Sequence, residues 1–218
     1  MSTILCRETA STNCSVAIGV NGKLLALKED YDSSYSHAER LHNFIKEILE
    51  ENDLKLSDLD AIAVSKGPGS YTGLRIGVSA AKGICFSLDV PLISVATLSS
   101  LANQVEETGT IIPMMDARRM EVYTAVFDKD KKQIEETSAK ILDPESYNSN
   151  LEEGLVYFIG SGVEKFQKIC VHPNARYIKD KLPSASQMVS LATIKYKKSD
   201  FEDVAYFEPY YLKDFMAG

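Results

Sequence analysis

One order of elements occurs twice in this chain, and it narrows the available folds more than any single motif. Apolar runs at Ile4–Cys6 and Cys14–Val20, a turn at Asn21-Gly22 and a returning run over Lys23–Lys28 predict three strands. Between His37 and Glu50, Leu41, Phe44, Ile45, Ile48 and Leu49 recur at helical spacing. A strand over Asp60–Val64, a helix over Thr72–Leu88, a strand over Pro91–Val95 and a helix over Ser99–Glu107 are expected next. The second half repeats the pattern. Strands are expected over Thr110–Met115, Glu121–Phe127 and Gln133–Leu142, then a short helix near Pro144–Leu151. A strand over Leu155–Ile159, a helix over Val163–Cys170, a strand over Ala175–Ile178 and a helix over Ser184–Lys197 complete it. The repeat predicts two stacked α/β halves, each βββαβα, at residues 1–108 and 109–218, with a cleft between them.

Bulk properties exclude several function classes. The 218 residues are enough for a substantial core, and 44% hydrophobic with 25% charged residues is ordinary for a globular protein. A formal net charge of −7 opposes free-standing nucleic-acid binding, whose affinity comes mainly from neutralising phosphates. A subunit whose partner supplies the basic surface remains open. Cys6, Cys14, Cys85 and Cys170 form no C-x-x-C pair, which predicts reduced thiols in a cytoplasmic protein, with Cys14 and Cys85 in the core. Arg7 and Glu8 interrupt the N-terminus before a long apolar stretch builds, so neither a signal peptide nor a membrane anchor is expected.

The densest local signal is SKGPGSYTGLRIGVSAAKG, Ser65–Gly83, with five glycines among nineteen residues directly after an apolar strand. A glycine turn between strand and helix is where many proteins seat a phosphate. The spacing Gly67-x-Gly69-x-x-x-Gly73 misses the dinucleotide fingerprint, and no lysine stands where a phosphate-binding P-loop needs one. The helix that follows is more informative. At about 100° per residue, Leu74, Val78, Ala81, Cys85 and Leu88 form an apolar core stripe. Beside it runs a second stripe of small and apolar residues: Gly73, Ile76, Gly77, Ala80, Gly83 and Ile84. Glycine in a helix costs about 1 kcal/mol relative to alanine, so close approach by another helix is the natural reason for three of them. That other helix could be His37–Glu50 of the same chain or one from a partner.

Other chemistry is thin. His37 and His42 lie five positions apart, on different helix faces, and His172 stands alone, so no zinc site is expected. No G-x-S-x-G elbow surrounds any serine. Glu8, followed by Thr9, and Asp116 each close the first strand of a half. There they could face each other and hold a magnesium-bound phosphate. Their other reading is as caps of the turns they begin.

The stretch SKGPGSYTGLRIGVSAAKGICFSLDVPLISVATLSSLA closely resembles the signature of the TsaB (YeaZ) family. CSVAI, HAERL, DARRMEVY, LPSASQMVSLA and PYYLKDF find counterparts in the same order. The resemblance implies an actin-like ATPase (ribonuclease H-like) fold. It also implies a non-catalytic scaffold or activator subunit of the threonylcarbamoyl-transferase complex. That complex forms N6-threonylcarbamoyladenosine in tRNAs reading codons that begin with A. Implied partners are a TsaD-like catalytic paralogue and a TsaE-like ATPase, with a homodimer when alone, tRNA met only through the complex, and no cofactor in this subunit. Where the paralogue carries a metal-binding H-x-x-x-H, this chain has Thr97 and Leu101. By the same resemblance, Gly73, Ile76, Gly77, Ala80, Gly83 and Ile84 belong to a partner interface. Glu8 replaces the family's usual Asp and Met120 its usual Gly, and both crowd a nucleotide cleft. The alternative reading is a small actin-like ATPase or phosphotransferase using Glu8 and Asp116 around magnesium. A peptidase reading lacks the zinc ligands.

Overall fold

The computed structural model describes residues 2–31 and 37–213, with the His37 side chain and the end of the PYYLKDF motif outside that description. In chain order the elements are β1 (Thr3–Glu8), β2 (Cys14–Val20), β3 (Lys23–Asp30), α1 (His37–Glu50), β4 (Ala61–Ser65), α2 (Tyr71–Leu88), β5 (Leu92–Val95) and α3 (Thr97–Ala102). Then come β6 (Thr110–Asp116), β7 (Glu121–Phe127), β8 (Gln133–Ile141), α4 (Asn148–Glu153), β9 (Val156–Ile159), α5 (Val163–Gln167), β10 (Ala175–Ile178) and α6 (Ala185–Lys197). The sheets run β3-β2-β1-β4-β5 and β10-β9-β6-β7-β8, the same order read from opposite edges. In each, the first three strands pair antiparallel and the last two join in parallel. This repeated mixed topology is the actin-like fold that the resemblance implies.

The local reasons are legible in the first sheet. Asn21 (φ 53°) and Gly22 (φ 84°) both take positive φ, as a tight hairpin turn with the twist of its strands requires. β1 and β4 are buried along their whole length, as central strands covered on both faces are; β4 reads as a near-continuous apolar run, whereas β1 has an apolar centre, Ile4–Cys6, followed by Arg7 and Glu8. β3, at the edge, stays largely exposed. Leu5, Val16, Ile18, Ile62 and Val64 pack under Leu41, Ile45 and Ile48 of α1 and under Val78, Ala81 and Cys85 of α2. The opposite face, with Ile4, Cys6, Ala17, Ala63 and Ile93, is covered by Ala185, Met188, Val189 and Ala192 of α6.

That last contact moves the expected division at 108/109. One compact unit comprises residues up to Ser100 together with Pro183 onward; the other is Leu101–Leu182. The physical reason is that the first sheet has a second apolar face and α6 is the helix that covers it. Hydrogen bonds fix it there: Asn13 Nδ2 donates to the Pro183 carbonyl at 3.0 Å, and the Ala185 amide to Ser15 Oγ at 2.7 Å. The second unit has its own core, in which Phe158, Phe166, Tyr147 and Tyr177 pack ring against ring. α3 also differs from expectation, starting two residues earlier and ending at Ala102. The Thr97 amide bonds the Gly67 carbonyl at 3.1 Å, tying the helix start to the glycine loop.

Candidate functional site

The glycine loop after β4 is filled by the protein itself. The Ser70 amide donates to the Ala10 carbonyl at 2.7 Å, and a Cβ at Gly69 would fall on that same carbonyl oxygen. Gly67, at φ +108°, lies where a Cβ would come within 2.7 Å of the Tyr210 carbonyl oxygen. The Tyr210 amide in turn bonds the Lys66 carbonyl at 2.7 Å. Ser70 caps α2, its hydroxyl accepting from the Gly73 amide at 3.3 Å. The glycines let two backbone segments approach the turn closely, and the Ser70 and Gly73 amides are used by the protein's own contacts.

α2 itself carries three different faces. Leu74, Val78, Ala81 and Cys85 enter the core as the spacing predicts, while Leu88, the last of that stripe, is only half-buried at the helix end. Gly73 and Gly77, assigned from the sequence to the partner stripe, are buried inside the unit instead. Thr9 Oγ1 donates to the Gly73 carbonyl at 2.7 Å, and Arg7 Nη2 to the Gly77 carbonyl at 2.9 Å. A Cβ at Gly77 would collide with Thr9 Oγ1. These two glycines seat α2 on the end of β1 and leave the outward set smaller. Ile76, Ala80 and Ile84 are half-buried at the rim of the core, and Gly83 is exposed with open space where a Cβ would stand. Along the far flank the C-terminal segment straps the helix. Lys82 Nζ donates to the carbonyls of Ala205 and Phe207 at 3.0 Å each, and the Tyr211 ring packs against Tyr71 at a tilt of 35°, with ring centroids 4.9 Å apart.

The two candidate carboxylates are each committed to their own loops. Glu8 is fully buried, and its Oε1 accepts from the Ala10 amide at 2.6 Å. Burial pushes its carboxyl up to about 7, and the Ala10 amide, the Ser65 hydroxyl and the Thr9 amide offset only part of that. Its Oε2 has no partner meeting hydrogen-bond geometry. Asp116 belongs to the other unit and is half-exposed. Its Oδ1 accepts from the Arg118 amide at 2.6 Å, and its Oδ2 pairs with Lys165 Nζ at 3.0 Å. Magnesium needs carboxylate oxygens presented to it with room for water; Glu8, sealed from solvent, does not meet that, and Asp116, though open to water, has both oxygens engaged by the Arg118 amide and Lys165. Both act as the turn caps of their alternative reading.

The remaining candidates are quickly placed. Thr97 and Leu101 are both buried, and Thr97 Oγ1 lies 2.6 Å from Ser65 Oγ in a hydroxyl pair. His42 is exposed, and His172 Nδ1 accepts from the Asn174 amide at 3.2 Å. Among the described residues, no three His, Cys, Asp or Glu side chains come together as a metal site, and no helix is long and apolar enough to cross a membrane. All four cysteines are buried and free; burial pushes Cys14 and Cys85 up to about 11. Two features escaped the sequence reading. The strap over residues 203–211 has no periodicity to betray it. Arg7 is wholly buried, with Nε and Nη1 unpartnered, and burial lowers it to about 10.

Comparison with known proteins gives a consistent result. The family model described as tRNA N6-adenosine threonylcarbamoyltransferase matches residues 31–217. The chain is 30% identical to the tRNA threonylcarbamoyladenosine biosynthesis protein TsaB of Escherichia coli, over 98% of this chain and 96% of that one. It is 28% identical to the TsaB of Haemophilus influenzae, over 97% of this chain and 94% of the relative. Among solved structures, YeaZ from Pseudomonas aeruginosa superposes with a TM-score of 0.84 at 28% identity, covering 97% of this chain and 100% of that chain.

Proposed function

The chain belongs to the TsaB (YeaZ) family, within the wider group of tRNA N6-adenosine threonylcarbamoyltransferases, and on that premise we propose that it serves the formation of N6-threonylcarbamoyladenosine in tRNA. Its role there is that of a non-catalytic subunit that docks and activates a TsaD-family transferase, in an assembly with a TsaE-like ATPase. The observation that carries this reading is the use made of the end of β1. Where a phosphotransferase of this fold would present a carboxylate, Glu8 is buried against Ala10, and Arg7 and Thr9 hold α2 in place by its backbone. What the unit turns outward is the face of α2 with Ile76, Ala80, Gly83 and Ile84. Small residues on that face let a second helix backbone approach. In the absence of the transferase, a second copy of the chain covers the same face, which gives a homodimer.

The test is co-purification with the TsaD-family protein from the same cells, joined to nucleoside analysis of tRNA from a strain depleted of this chain. Loss of N6-threonylcarbamoyladenosine on depletion, and its restoration by the wild-type chain, is the expected result. Robust modification of tRNA by this chain without a TsaD-family partner would contradict the non-catalytic role.

A further inference from the structure

At its C-terminal end α2 borders a groove that lies outside the docking face. The helix stops at Leu88, where Asp89 takes a left-handed conformation (φ 55°) and turns the chain towards β5. Opposite, the Glu202 amide bonds the Leu92 carbonyl at 2.8 Å and fixes the segment around Phe201 and Val204 beside the helix end. Between them is a cavity of about 460 Å³ whose walls include Phe86, Asp89, Pro91, Phe201, Glu202 and Val204. Phe86 is 86% exposed and Phe201 40%, an arrangement that water alone does not favour.

The charge at this groove has one sign. Its ionisable carboxylates are Asp89 and Glu202, and no Lys or Arg lines it. The last turn of α2 carries no basic residue, so the negative end of the helix dipole adds to the same field. Of the lysines on neighbouring elements, Lys82 is bonded to the carbonyls of Ala205 and Phe207, and Lys195 to Asp200 at 3.3 Å and the Ser94 carbonyl at 3.0 Å. Such a field repels nucleic-acid phosphate. It also disfavours a second copy of a chain whose net charge is −7. An apolar side chain flanked by cations satisfies both the aromatic walls and the field.

We propose that this groove docks a basic segment of another protein, one that inserts a large apolar side chain between Phe86 and Phe201 and places Lys or Arg beside Asp89. The site is offset from the centre of the α2 face assigned to the transferase: Phe86 lies about 120° around the helix from Ala80, and about 60° from Gly83 at the edge of that face.

The chain contains no tryptophan, so a tryptophan in a peptide reports binding without background. Two short peptides sharing one tryptophan and a leucine, one flanked by Lys and Arg and the other by Glu, are titrated with the full chain. The basic peptide is expected to bind at least about tenfold more tightly, and less tightly as salt rises. Phe86→Ala, at an exposed position, weakens it by about tenfold. Asp89→Asn keeps a residue that tolerates the left-handed cap and weakens it by about threefold. Ala80→Arg leaves it unchanged. Equal binding of the two peptides, or indifference to both groove variants, overturns the proposal. So does sensitivity to Ala80→Arg alone, competition by a tRNA anticodon stem-loop, or a homodimer that dissociates on Phe86→Ala.

Discussion

β1 and β6 lie at the centre of their sheets, and each ends in an acid that bonds the amide two residues on. Glu8 accepts from Ala10 and Asp116 from Arg118, both at 2.6 Å. Beyond that shared bond the two sites diverge. Glu8 is sealed from water, and the loop it caps lies under the start of α2, through the Ala10 carbonyl and the Ser70 amide. Asp116 stays at the surface, paired with Lys165, in a turn where Arg118 and Arg119 take positive φ. The helix that follows the fourth strand diverges too: α2 has 18 residues, whereas α5 has five. One strand end has become the mount for a long helix and the other a solvated turn. A duplicated fold thus assigns different work to equivalent positions, and burial of one carboxylate is what separates them.

The strongest way to break this contrast is to unseat α2. Gly77→Val places side-chain atoms on Thr9 Oγ1 and strains the bond between Arg7 and the Gly77 carbonyl. Overpacking of this kind costs about 3 kcal/mol, a large share of a typical domain's stability. Chemical denaturation should show a much lower midpoint for this variant. Adding Thr9→Ala, which removes the obstructing oxygen, should recover part of the loss. A Gly77→Val protein as stable as wild type would show that the helix is not seated through Thr9.

Next in size is the ionisation of Glu8. Its carboxyl is raised from 4.5 to about 7, so the folded state holds the proton more tightly than the unfolded chain does. Stability from this group is therefore complete below the unfolded value and is lost as pH rises towards 7, a span on the order of 3 kcal/mol. Glu8→Gln keeps an oxygen for the Ala10 amide and removes the titration. The variant's advantage over wild type should grow from about pH 5 to pH 7 and then level off. Parallel stability curves for Glu8→Gln and wild type would mean that the carboxyl is not held as the burial implies.

Most of the frame behind these contrasts was readable from residue patterns, because strand and helix periods are local. The hairpin at Asn21-Gly22, the core stripe of α2 and the doubled element order need only neighbours in sequence. What was not readable depends on pairs distant along the chain. The pattern over Ser184–Lys197 marks a helix, but its sheet is fixed by Asn13 and Ser15 meeting Pro183 and Ala185. A helical wheel places Gly73 and Gly77 beside Ile76 and Ala80. It cannot show that Thr9 and Arg7 rise from the strand beneath to meet their carbonyls. Arg7 ends a short apolar run beside Glu8, and the residue pattern assigns no reason to a buried guanidinium.

The outward face of α2 supplies a smaller effect. Ala80→Arg puts a long charged side chain where a partner helix is expected to pass, and should weaken binding of the TsaD-family partner at least about tenfold. Because Ala80 is only half-buried, thermal unfolding of the lone chain should stay cooperative. A folded variant with unchanged affinity would remove this face from the interface. Gly83→Ala, in open space, should raise the stability of the lone chain by up to about 1 kcal/mol through helix propensity. Its effect on partner binding then reports how closely the second backbone approaches.

The smallest effect is expected at Asp116, and it decides between a scaffold and an ATPase. Asp116→Ala removes the Lys165 pair and the acceptor for the Arg118 amide, both at a half-exposed site. Surface pairs of this kind contribute up to about 1 kcal/mol, and less as salt rises. Lys165 keeps its bonds to the carbonyls of Arg119, at 2.7 Å, and Glu121, at 3.1 Å, so the turn should hold without the carboxylate. The variant should unfold slightly earlier than wild type at low salt and nearly with it at high salt. It should restore tRNA modification to a depleted strain as well as wild type does. If it folds normally yet fails to restore modification, Asp116 takes part in chemistry, and the magnesium-dependent phosphotransferase reading replaces the scaffold. ATP turnover by the purified chain, abolished by the same substitution, would establish that replacement directly.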